Sequence, residues 1–123
     1  MAQLLFIAAG GALGAVSRYG VSSGVYHLLG RGFPYGTLAV NLIGSFLIGL
    51  LSIWLIERFS FSPEWRAAVL IGFLGAFTTF STFSLETLTL IEQSAYLKAG
   101  LNMLLSVTTC LIAVWLGVIT ARL

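Results

Sequence analysis

The chain is 123 residues long, 59% hydrophobic and 8% charged, with a mean hydropathy of +1.03. A soluble domain carries roughly 25% charged residues, and six basic with four acidic side chains cannot cover a globular surface. That excludes an ordinary soluble enzyme, a nucleic-acid-binding domain and a disordered tail, and leaves an all-α membrane protein embedded in the lipid bilayer.

A spanning helix needs about 20 apolar residues, and four such stretches lie in order at about 3–29, 34–56, 63–92 and 96–121, one four-helix transmembrane domain. Helices are required because backbone groups facing lipid must be satisfied within the segment. The first stretch has no charge before Arg18 and no basic leader, so it is read as a retained span and not a signal peptide. Its Gly10, Gly14, Gly20 and Gly24 have the small-xxx-small spacing of close helix packing. Gly30, Arg31, Gly32 and Pro34 form a turn. The second stretch ends at Glu57 and Arg58; Ser62, Pro63 and Glu64 then make a helix start, with Ser62 as cap. The fourth runs from Tyr96 to Ala121 and is closed by Arg122. So little chain remains outside the spans that a separate catalytic domain has no place. Cys110 is the one cysteine and cannot form an internal disulfide.

Four spans put Arg58, Arg66 and Arg122 on one side and Arg31 and Lys98 on the other. Positive loops set orientation, and three against two is almost no bias. Two readings stand on this evidence: one arginine suffices, or the chain inserts both ways and pairs with an inverted copy of itself. The second would put the membrane-plane pseudo-symmetry of inverted-repeat transporters between two chains.

Polar residues inside spans face protein or water. Thr37, Asn41, Ser45 and Ser52 form one stripe on the second span, and Asn102, Ser106 and Thr109 another on the fourth. Either stripe alone fits interhelical hydrogen bonding; together they could line a narrow polar route. In the third span, Gly72 to Glu86 read GFLGAFTTFSTFSLE. Glycines weaken a helix, and Thr78, Thr79, Ser81, Thr82 and Ser84 compete for its hydrogen bonds. The pattern predicts a break near mid-membrane, against the alternative of an intact helix with hydroxyls bonded back one turn. A break would expose carbonyls near Gly75–Thr78 to a cation and N–H groups near Thr79 to an anion. Phe80 and Phe83, three apart, share a face. They either pack against core and lipid or turn electropositive ring edges toward a small anion. Arg18 must pair or snorkel, and Glu86 either shuttles protons, guards a vestibule or meets an interfacial arginine. Glu92 and His27 are read as interfacial. No histidine, acid or cysteine cluster supports a transition-metal site, and no nucleophile–base pair supports hydrolysis.

The run from Gly75 to Ser84 (GAFTTFSTFS), with Asn41 inside GTLAVNLIG and Arg18 after a glycine-rich start, resembles the Fluc/CrcB family of fluoride-specific channels along essentially the whole chain. The resemblance implies antiparallel, dual-topology homodimers in the bacterial inner membrane, with two pores that passively export fluoride from the cytoplasm. It implies that Phe80 and Phe83 face fluoride by their ring edges, that Asn41 is a pore residue, and that Thr79, Ser81, Thr82 and Ser84 belong to the same polar track. Ser106 and Thr109 are expected on the polar face of the fourth span, where Cys110 aligns with a pore serine of some members. Gly75 and Thr78 are expected to hold a structural, untransported Na+ by their main-chain carbonyls, and Arg18 and Glu86 to be vestibule charges. A proton-coupled exporter of the small multidrug-resistance type is the alternative, but its deeply embedded first-span glutamate is missing here, where Arg18 stands instead. A non-transporting assembly subunit is the third class, and it predicts no ion flux.

Overall fold

A computed structural model describes Met1–Leu123 and is helical throughout, with four runs long and apolar enough to cross a membrane. Helix α1 is Ala2–Leu29, ended by Gly30 at a φ of 82° that a side chain would resist. Helix α2, Tyr35–Ser52, passes without interruption into a wider π-helical stretch at Ile53–Arg58. The third run starts as α3, Pro63–Arg66, where the Ser62 hydroxyl accepts the Trp65 N–H at 3.4 Å. It widens into a π-helical Ala67–Phe73 and tightens again as α4, Leu74–Phe77. Thr78 and Thr79 are then extended, at φ/ψ of −88°/161° and −153°/118°, before α5 at Phe80–Glu92. The fourth run is α6, Tyr96–Arg122.

Two backbone-close contacts organise the protomer. The first is between α1 and the Ala67–Phe73 stretch. A Cβ on Gly10 would overlap the Ala68 carbonyl, one on Gly14 the Phe73 carbonyl, and one on Gly72 the Ile7 carbonyl from the other side. The second joins α2 to α6, where Gly49 sits against the Val114 carbonyl and Gly117 against that of Phe46. Lipid tails give helices no hydrophobic reason to associate, so close backbone approach and dispersion must hold them. Gly20 and Gly24 share the spacing of the first pair, yet nothing lies within 4 Å of where their Cβ atoms would be.

Only 22 of the 123 residues are buried, and Leu74 and Val40 mark the centre of the protomer. Large apolar side chains such as Leu13, Leu111 and Trp115 face outward, as a bilayer demands. At one end of the bundle an Arg58 guanidinium N–H donates to the Ala121 carbonyl at 2.7 Å, and Arg122 lies 3.7 Å from Glu57. The ends of the second and fourth spans therefore meet on one side.

Candidate functional site

The site is built around the extended pair Thr78–Thr79. Peptide groups that leave a helix inside a membrane need partners from elsewhere, and Asn41 on α2 supplies two at once. Its Nδ2 donates to the Thr79 carbonyl at 3.0 Å, and its Oδ1 accepts the Thr79 N–H at 2.8 Å. Gly44, one turn on, leaves the space that the Thr78 side chain fills. Thr79 then caps α5: its Oγ1 accepts the Thr82 N–H at 3.2 Å and donates to the Thr82 Oγ1 at 3.0 Å. From the opposite side, Arg18 Nε donates to the Ala76 carbonyl at 3.0 Å, so this deep guanidinium is paired with the main chain.

These bonds decide which carbonyls are left over. In an unbroken helix Thr79 N–H would serve the Gly75 carbonyl and Thr82 N–H that of Thr78. Here the first goes to Asn41 and the second to Thr79 Oγ1. Gly75 and Thr78 thus lose their helical donors, and a Cβ on Gly75 would meet nothing within 4 Å.

A groove of about 450 Å³ opens beside the break, between α2, α5 and α6. It is lined by Asn41, Ser45, Thr79 and Ser106 among apolar side chains, with Phe80 and Phe83 on its rim and Cys110 on its α6 wall. The two rings stand 5.4 Å apart at 44°, so they do not stack face to face. Phe80 is 77% exposed while Phe83 is half-buried. An aromatic ring so open, next to an apolar recess that carries a few polar groups, is free to offer its edge to whatever enters.

The α6 wall is fixed by a chain of bonds whose direction is forced. Thr87 Oγ1 donates to the Phe83 carbonyl at 2.8 Å, so it can only accept from Asn102 Nδ2, at 2.9 Å. Asn102 Oδ1 then accepts the Ser106 hydroxyl, at 3.3 Å. Asn102 is 2% exposed, and its buried amide is satisfied on both sides. Ser81, Thr82, Ser84 and Thr109 do not line the groove. Ser81 is exposed 3.5 Å from Thr79, Ser84 donates back to the Phe80 carbonyl and Thr109 to that of Leu105. One turn beyond Phe83, Glu86 Oε2 accepts the Tyr26 hydroxyl at 2.8 Å, with Thr37 at 3.5 Å from the same hydroxyl. The other oxygen, Oε1, is buried with no partner in the chain. Tyr26 escapes a sequence reading; its one signal is its spacing of eight from Arg18 along α1.

A family model described as CrcB-like protein, Camphor Resistance (CrcB), matches residues 5–118. A protein of Methylococcus capsulatus named fluoride-specific ion channel FluC is 61% identical over 120 residues. That match covers 98% of this chain and 53% of the relative, so the chain spans about half of that longer protein. Proteins of the same name from Geotalea uraniireducens and Magnetococcus marinus are each 52% identical, over 122 and 121 residues. There the match covers 98% of each relative and 99% and 98% of this chain. With near-complete coverage and over half the residues shared, the chain belongs to the CrcB family.

Proposed function

We propose that this multi-pass membrane protein is a passive, fluoride-selective channel and not an enzyme, in keeping with relatives named fluoride-specific ion channels. The observation that carries the reading is the groove in which Phe80 and Phe83 border Asn41, Thr79 and Ser106. A small anion must lose water to pass, and a full positive charge would hold it too tightly to let it leave again. Ring edges and hydroxyl or amide N–H groups offer weak, repeated replacements for that water. The Ser106 hydroxyl proton is engaged with Asn102, so it must turn from Asn102 Oδ1 toward the anion as the anion arrives. Asn41 holds the break open with one of its amide N–H groups and keeps the second for the passing ion.

The exposed Phe80 and the outward Gly75 favour a second copy that closes the groove, set antiparallel by the nearly unbiased loop charges, with one pore for each chain. The carbonyls of Gly75 and Thr78, deprived of helical donors, fit the donor set that Na+ takes, and they would hold it between two inverted copies near mid-membrane. Bound there, the ion would supply positive charge to the carbonyl dipoles of Gly75 and Thr78. Arg18 and Glu86 sit on the approaches to the break and act as vestibule charges. In the bacterial inner membrane such a channel lets fluoride run out of the cytoplasm down its gradient.

Purified protein in fluoride-loaded liposomes, followed with a fluoride electrode, tests the reading. Rapid electrogenic fluoride efflux is expected, with little chloride efflux and no need for a proton gradient. Fluoride retained in the presence of a potassium ionophore overturns it.

A further inference from the structure

A second cavity, about 290 Å³, lies along α1 away from the groove and receives two arginines. Arg18, Ser22 and Tyr26 follow one another at intervals of four and line it from one helix face, and Ser23 joins them. Arg31 enters from the turn after α1 and folds back, its guanidinium carbon 4.5 Å from the centre of the Tyr26 ring. The ring face fixes the charge over the cavity without neutralising it. No acidic side chain lines the cavity. The acid nearest this region, Glu86 on α5, does not line the cavity and accepts the hydroxyl at the tip of the Tyr26 ring. Arg18 spends its Nε on the Ala76 carbonyl, which leaves its terminal N–H groups for the cavity. A space of this size holds roughly ten waters, so it accepts an anion together with its hydration shell.

We propose that this cavity captures fluoride while it is still hydrated, and that Arg31 is the residue that draws it in. The inference rests on the channel reading and adds a charge outside the break, on the exposed turn between the first two spans. A positive group at the mouth of a low-dielectric recess concentrates anions and raises their rate of entry. Because Arg31 is exposed, salt screens its action, with a Debye length of about 10 Å at 0.1 M.

The experiment compares fluoride efflux from liposomes containing unaltered protein, Arg31→Gln and Arg31→Lys, at subsaturating fluoride, over a range of impermeant-salt concentrations. Arg31→Gln is expected to slow efflux about threefold to fivefold at low ionic strength. The deficit should close as the salt approaches about 1 M and shrink as fluoride approaches saturation. Arg31→Lys, which keeps the charge but not the planar stack, should recover most of the rate. Identical rates for Arg31→Gln and the unaltered protein at every salt concentration overturn the inference and leave the channel reading standing. So does a deficit that ignores salt and is shared by Arg31→Lys, since it marks a packing role. Absence of fluoride flux from the unaltered protein overturns both.

Discussion

The stretches of the third run before and after Thr78 are held in place by different physics. Before it, Ala67, Ala68, Gly72, Leu74 and Phe77 are buried, and the contact with α1 is main chain on main chain through Gly10, Gly14 and Gly72. After it, Thr87 is the one buried residue of α5. That helix is tied down by directional bonds: Asn41 to Thr79, Tyr26 to Glu86 and Asn102 to Thr87. Shape secures the first half over its length, and a few polar contacts secure the second. The second can therefore leave its rings and one side of its backbone open, as the proposed ion route requires.

The contrast makes graded predictions. The largest effect should come from replacing Phe80 and Phe83 together with isoleucine, which keeps apolar area and removes both ring edges. Fluoride flux should fall at least about a hundredfold, the factor expected if each edge supplies about 1.4 kcal/mol. The elution volume and melting temperature in detergent should stay as they were, because neither ring anchors the fold. Flux at the original rate would mean that the open half is mere lipid-facing surface.

Next comes Asn41→Leu, which removes both partners of the Thr79 peptide. Leaving that N–H and C=O unsatisfied costs about 1–3 kcal/mol each, so thermal denaturation should shift down and flux should drop with it.

The packed half is probed by the two glycine pairs of α1. Gly14→Val forces a side chain into the Phe73 carbonyl and should destabilise by about 1–3 kcal/mol or more, read as loss of monodisperse protein on size exclusion. Gly24→Ala, at the same spacing but with nothing opposite, should change protomer stability by less than about 0.5 kcal/mol. A dimer fraction lower in Gly24→Ala than in the unaltered protein would sharpen the picture by placing the proposed second copy on that face.

Much of this was legible in the linear chain, for physical reasons. Hydropathy gives the four spans because the bilayer imposes a length, and Ser62-Pro63-Glu64 gives the start of the third because a cap is a local feature. Periodicity assigned Thr37, Asn41 and Ser45 to one face, and it could not say that Asn41 would pair with a particular peptide 38 residues away. It gave Gly10–Gly14 and Gly20–Gly24 equal standing, although only the first pair meets a neighbour within the protomer, and it passed over Gly49 and Gly117. The wide turns at Ile53–Arg58 and Ala67–Phe73 carry no composition of their own, since any apolar run can shift from i−4 to i−5 bonding. Glu86 stands 60 residues from Tyr26 and its neighbour Arg31 in sequence, and only the folded chain brings ring, cation and carboxylate together.

The bond from Arg18 to Ala76 has a consequence for biosynthesis. Its two ends are 58 residues apart. At about 5–20 residues per second, the ribosome needs roughly 3–12 s to deliver the carbonyl after the arginine has emerged. Throughout that interval a cation near the middle of the first helix costs about 2.5–3.5 kcal/mol at the translocon. The opening segment is thus a reluctant inserter, and its arginine meets the Ala76 carbonyl only once the third run has been made.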